Sequence, residues 1–206
     1  MGRTAILDPA ESYSFSKYAE LSFDTADILA EFGVTLHSGA LQLPLQLPIN
    51  PEPLNIELQE NLTLVDPASE IARREALIFP ILRTVCKFIQ APLKIEYPVR
   101  VSPQLRGSLD YFIPTPHSLL VIEAKNADLS KGFTQLAVEL IAVDQWIDSP
   151  APILYGAVTT GDTWKFRLFQ RQEKQLHKDI NTYAVPHDLS RVLSILFGVT
   201  MNELID

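Results

Sequence analysis

The sequence predicts an α/β fold in which helices flank a mixed β-sheet, preceded by a proline-rich N-terminal extension. Three observations predict it. Apolar residues recur at helical spacing over about 68–90 and again over about 129–147. Short β-branched or alternating runs of strand length lie between and after them. The segments interleave as helix, three strands, helix, two strands, helix, the order of an α/β sandwich.

Taken in order, residues 1–66 read as an irregular, acidic extension and 67–206 as the main domain, with the boundary near Asp66-Pro67. Within the extension, Leu21, Ala26, Ile28, Leu29 and Phe32 have mixed helical spacing. The run from Leu43 to Pro53 carries Pro44, Pro48, Pro51 and Pro53, which withdraw backbone donors and leave extended chain or an edge strand. A covering arm outside the sheet is the expectation. The first helix of the domain carries Ile71, Leu77, Ile78, Ile81, Leu82, Val85 and Ile89, with Ser69 as its N-cap and Pro80 kinking or splitting it.

Three strands follow, Leu93 to Val101, Gly107 to Ile113 and Ser118 to Ala124, the last two joined by Pro114-Thr115-Pro116-His117. The second long helix has a core stripe of Phe133, Leu136, Leu140, Val143 and Ile147, and sets Gln135 and Glu139 one turn apart on another face. Strands Ile153 to Thr159 and Thr163 to Phe169 flank a Thr160-Gly161-Asp162 turn. A final helix spans Asp188 to Phe197.

Composition narrows the function classes. Of the 206 residues, 47% are hydrophobic and 20% charged, and no apolar run approaches the ~20 residues of a membrane span. The first residues lack a signal-peptide hydrophobic region, so a cytoplasmic location is expected. The single cysteine, Cys86, excludes an internal disulfide and a multi-cysteine zinc site, and its apolar neighbours mark it as a core residue. His37, His117, His177 and His187 are scattered with no nearby nucleophile, which disfavours histidine-based catalysis. The net charge of −8 lies wholly in residues 1–66, which hold ten acids against Arg3 and Lys17. The remainder is balanced, so a phosphate-binding face is compatible with it, but tight metal-free DNA affinity is not expected.

The segment that carries chemistry is Arg106-Gly107-Ser108-Leu109-Asp110-Tyr111-Phe112-Ile113 followed by Leu119-Leu120-Val121-Ile122-Glu123-Ala124-Lys125-Asn126. Val121, Glu123 and Lys125 alternate along one strand and share a face. Pairing Ile113 with Ser118 across the turn sets Asp110 opposite Val121 and diagonal to Glu123, within side-chain reach. Two carboxylates with the Ala124 carbonyl make a hard oxygen site for Mg2+ or Mn2+, and Lys125 beside it suits a role in orienting or deprotonating water or in stabilising phosphorane charge. On spacing alone, surface ion pairs on an edge hairpin account for the same residues.

In its context this stretch resembles the PD-(D/E)XK nuclease superfamily, including uncharacterised cyanobacterial members and the nuclease region of type I restriction subunits. Asp110, Glu123 and Lys125 match its central motif residue by residue, while Leu109 stands where the motif has proline. Leu129 to Leu140 is similar to the helix that follows, with Gln135 in the place of its glutamine. Glu75 is similar to the acid of the first helix, in competition with Glu70. The likeness covers residues 68–170. It implies a restriction-endonuclease-like sheet and a Mg2+- or Mn2+-dependent hydrolysis of phosphodiester bonds, with DNA as the expected substrate.

Two other classes stay open: a catalytically silent binding module that keeps the fold, which the net charge favours, and a homodimeric assembly factor working through its N-terminal arm. Glu139 suits either solvent exposure or a supporting role behind the site. Lys165, Arg167, Arg171, Lys174 and Lys178 oppose only Glu173 in their stretch and suit either phosphate contacts or a charged edge strand that guards against aggregation. Trp146 and Trp164 are expected in the core. No phosphate-loop motif is present, so ATP use has no support.

Overall fold

Residues Ile153–Thr159 are almost wholly buried on both sides, which only a central strand covered on each face allows. In the computed structural model, residues 6–115 and 129–201 are described in full and 119–124 by their backbone. In chain order the elements are α1 (Phe15–Tyr18), α2 (Thr25–Ala30), β1 (Thr35–Gly39), α3 (Glu52–Leu64), α4 (Glu70–Arg73), a π-helical turn (Arg74–Ile78) and α5 (Phe79–Ile89). Then come β2 (Lys94–Arg100), β3 (Arg106–Pro114), β4 (Leu119–Ala124), α6 (Leu129–Trp146), β5 (Ile153–Thr159), β6 (Thr163–Gln170), β7 (Gln175–Asp179), β8 (Tyr183–Ala184) and α7 (Leu189–Met201).

The strands form one mixed sheet in the order β1-β7-β6-β5-β4-β3-β2, with β8 on β6. β2, β3 and β4 are an antiparallel meander, and α6 carries the chain over to β5, parallel to β4. Alternation along the strands feeds two cores. Tyr111, Ile113, Ala157, Trp164 and Phe166 face the helical layer of α3, α5 and α7. Phe112, Leu154, Val158 and Phe169 face α6. Cys86 is buried in the first core as expected, and burial pushes its thiol up to about 11. Trp164 is core, but Trp146 is partly exposed, edge-on to Tyr97 and Phe112.

The first helix of the domain forms where the periodicity puts it. Ser69 caps it by accepting from the Ala72 N–H at 3.1 Å. Pro80 removes the donor that the Ala76 carbonyl would otherwise use. The backbone answers with the π-turn, and the Asn61 side chain of α3 donates to that carbonyl at 2.9 Å.

The N-terminal third is where the expectation of an irregular arm fails. It supplies β1, which pairs in parallel with β7 inside the sheet, and the thirteen-residue helix α3. Tyr13, Phe15, Tyr18, Ile28, Leu29 and Val34 are buried against α6, and the Tyr18 hydroxyl donates to the Gln104 carbonyl at 2.6 Å. The proline-rich run is extended as predicted over residues 43–50, but Glu52 and Pro53 belong to the first turn of α3. The run crosses α7, where Gln46 N–H donates to the Ser194 carbonyl at 2.9 Å and Pro44 lies so close to Gly198 that no side chain fits there.

β1 and β7 escaped the sequence reading because each has one apolar residue, Leu36 or Leu176, too few to show alternation. Their presence makes β6 an interior strand, so its charges are not those of a sheet edge.

Candidate active site

The meander places the motif residues by register. Ile113 pairs with Leu120 and Tyr111 with Ile122, not Ile113 with Ser118, because Pro114 serves as the last paired residue of β3, where a missing donor is tolerated. The paired register ends at Tyr111 and Ile122, and one step further along the two strands come Asp110 and Glu123. For Glu123 and Ala124 the position is that of the strand backbone; Lys125 lies outside the described residues.

Asp110 also sits where the strand pattern breaks. Leu109 and Phe112 join the core under α6, whereas Tyr111 and Ile113 join the opposite one. Across from it on β2, Glu96 adopts φ +49°, a left-handed conformation uncommon for a residue with a Cβ. Tyr97 pairs with Leu109 and Ile95 with Tyr111, so Glu96 and Asp110 fill the intervening row. Three acidic positions, Glu96, Asp110 and Glu123, thus run side by side across β2, β3 and β4.

The π-turn brings Arg74 and Glu75 to this row. Arg74 donates to Glu96 Oε1 at 2.7 Å and to the Tyr111 hydroxyl at 3.4 Å, with its guanidinium 5.0 Å from the Tyr111 ring centre. Burial pulls the Arg74 pKa down, but these hydrogen bonds outweigh it and hold the guanidinium above its usual value, with Asp110 contributing. Burial raises the Tyr111 phenol, opposed by Arg74 and assisted by the negative charges of Glu75 and Asp110. Glu75 is exposed and, with Arg74, Ile71, Phe79, Ile95 and Tyr111, lines a cavity of about 300 Å³. Glu70 starts α4 and is not among those lining residues. Of the two acids weighed for the first helix, the geometry brings Glu75 to the cavity.

On the opposite layer, Gln135 is 5% exposed and Glu139 fully buried, with Gln135 Nε2 donating to Glu139 Oε1 at 3.0 Å. The solvent-exposed alternative for Glu139 is therefore excluded. Residues 132–143 of α6 are buried all round because α1 and α2 cover the side away from the sheet, with Thr25 and Thr134 hydroxyls 2.6 Å apart. A fully buried carboxylate costs several kcal/mol unless it is partnered, and the Gln135 amide is one such partner for Glu139.

Sequence reasoning missed Arg74, Glu96 and Tyr111. Each is an ordinary residue for its element; only the π-turn and the left-handed Glu96 single them out. Among the described residues no three His, Cys, Asp or Glu side chains are grouped to hold a metal ion. No family model matches the chain, and no curated protein matches it. Among the described residues no helix is long and apolar enough to cross a membrane.

Proposed function

We propose that this chain is a metal-dependent nuclease of the PD-(D/E)XK type that hydrolyses phosphodiester bonds of DNA, with a restriction-endonuclease-like core formed by the helix over 70–89, β2 to β5 and α6. The observation that carries the reading is the β3–β4 register, which ends at Tyr111 and Ile122 and so leads to Asp110 and Glu123 on adjacent strands, at the point where β3 changes faces. Two carboxylates from adjacent strands, together with the Ala124 carbonyl, would be an all-oxygen donor set suited to Mg2+ or Mn2+. The ion would supply charge neutralisation at the phosphate and a more acidic bound water.

The remaining roles belong to side chains. Lys125 orients or deprotonates the attacking water and offsets charge that develops on the phosphate. Glu75, on the π-turn beside the cavity, extends the acidic set from the helix side. Arg74 clamps Glu96 and Tyr111 and so fixes the wall against which Asp110 stands. Gln135 and Glu139 support the site from α6.

Titration of Mg2+ and Mn2+ against cleavage of single- and double-stranded DNA tests the reading. The wild-type protein is expected to cleave, and Asp110→Asn and Lys125→Ala to stay folded and lose about 10²–10⁴-fold in rate. Absence of cleavage on every DNA form would transfer the fold to a binding module, the reading that the net charge of −8 favours.

A further inference from the structure

We infer that Lys165, Arg167 and Lys178 form a second anion site, on the α6 face of the sheet, that holds a backbone phosphate of a nucleic-acid strand. The identity of the ligand rests on the nuclease reading; the site itself rests on the side chains. Lys165 and Arg167 are two residues apart on β6 and share a face. Arg167 pairs directly with Lys178 of β7, and Ser38 of β1 continues the same row. The Phe133 ring of α6 covers both charges, 4.5 Å from the Arg167 guanidinium and 5.2 Å from Lys178 Nζ.

Among the described residues, none of the three cations has a carboxylate at ion-pair distance. Arg167 is 1% exposed, and its Nε has no hydrogen-bond partner. Its Nη1 reaches the backbone carbonyls of Phe166 at 2.6 Å and Asp179 at 3.4 Å. The nearby Asp179 carboxylate is occupied by the Leu41 and Asn181 N–H groups, the Asn181 amide and the Tyr183 hydroxyl. Burial and the charges of Arg167 and Lys165 depress Lys178, while Asp179, beyond ion-pair distance, acts on Arg167 only through its charge. Lys165 and Lys178 are half-buried and rim the group, with Arg167 as its floor.

Lys165 pairs with Val158, which pairs with Glu123, so Lys165 and Glu123 stand two strands, roughly 10 Å, apart in one row. That separation suits a phosphate further along a strand whose scissile phosphate sits at Asp110 and Glu123.

The test is fluorescence-polarisation binding of a short oligodeoxynucleotide in EDTA at low ionic strength, in parallel with inorganic phosphate. The full chain is compared with Lys165→Gln, Lys178→Gln and Asp110→Asn. Each lysine change is expected to weaken strand binding several-fold and to reduce the salt slope by about one unit, irrespective of sequence. Asp110→Asn is expected to bind at least as well as wild type. Unchanged affinity and slope in both lysine variants would overturn the site. Free phosphate that binds as tightly as the strand would overturn its assignment to nucleic acid. Strand binding that depends on the lysines in a protein that never cleaves would sink the nuclease reading and leave the anion site standing.

Discussion

Arg167 and Arg171 belong to one basic run, four residues apart, and the fold treats them in opposite ways. Arg171 donates through Nε to Asp144 at 2.7 Å and through its other nitrogens to the Ser149, Ala151 and Asp144 carbonyls, tying the end of α6 to the start of β5. Lys174 adds a second cation on the same Asp144. Arg167 is more deeply buried, and its nearby acid, Asp179, stands beyond ion-pair distance and acts only through its charge. The difference separates a cation closed by a direct ion pair from one whose Nε is left without a hydrogen-bond partner. Burial lowers Arg167 to about 10, opposed by the charge of Asp179, so burial makes its charged form more costly than that of an exposed arginine.

The largest expected effect comes from breaking the satisfied half. The Asp144 side chain is 8% exposed and has two cations on it, so Asp144→Ala leaves Arg171 partly buried without its charge partner. A loss of about 3 kcal/mol is expected in urea unfolding, with Asp144→Asn losing less because it keeps one acceptor. A loss within a few tenths of a kcal/mol would mean that the carbonyls alone hold Arg171, and the contrast with Arg167 would weaken.

The opposite sign is expected in the unsatisfied half. Arg167→Met replaces a buried charge with an apolar chain of similar length, still covered by Phe133. It is expected to raise stability by about 1–3 kcal/mol while it weakens oligonucleotide binding. A destabilised Arg167→Met protein would instead make the guanidinium a structural clamp between β6 and the end of β7, and would remove the reason to look for an external anion.

This pair of arginines also shows how much was readable in the sequence. The elements from Ser69 to Gln170 and the last helix lie close to their predicted bounds, since long apolar periods and Gly or Pro punctuation mark them. The β3 and β4 strands that carry Asp110 and Glu123 were legible, but their register was not. Whether Pro114 belongs to the turn or to the strand decides which residues of β3 and β4 pair, and both choices leave a connection of equal length. The fate of the basic run was hidden for another reason. Lys165 to Lys178 reads as an exposed edge only if β6 is the last strand, and β7 and β1 are too polar to announce themselves. Glu139 stayed undecided for the same cause. Its face of α6 is polar in isolation and becomes interior only through Phe15, Tyr18, Ile28 and Leu29, residues that are over ninety positions away.

The smallest expected effect lies at the far edge of the sheet, where β1 and β7 set His37 directly opposite His177. The rings stack with centres 5.1 Å apart, so these two histidines are not scattered as their sequence positions imply. His177 Nε2 meets Gln170 Oε1 at 2.7 Å, and His37 Nε2 meets the Thr35 hydroxyl at 3.3 Å, so each ring has a polar but uncharged neighbour. Burial and then the His37 charge hold His177 below its ordinary 6.5. The folded protein therefore takes up fewer protons than the unfolded chain below about pH 6.5, and stability falls as pH drops through that point. It levels off once His177 is protonated in the folded state too. Because the pair is largely open to solvent, the loss is expected to be smaller than either arginine effect and to shrink further at high salt. His37→Ala removes the neighbouring charge and leaves only the burial of His177, so its acid-side decline is expected to be shallower than that of wild type. Urea midpoints followed from pH 7.5 to pH 5 would show this; parallel curves for the two proteins would mean that the stacked rings do not feel each other's charge.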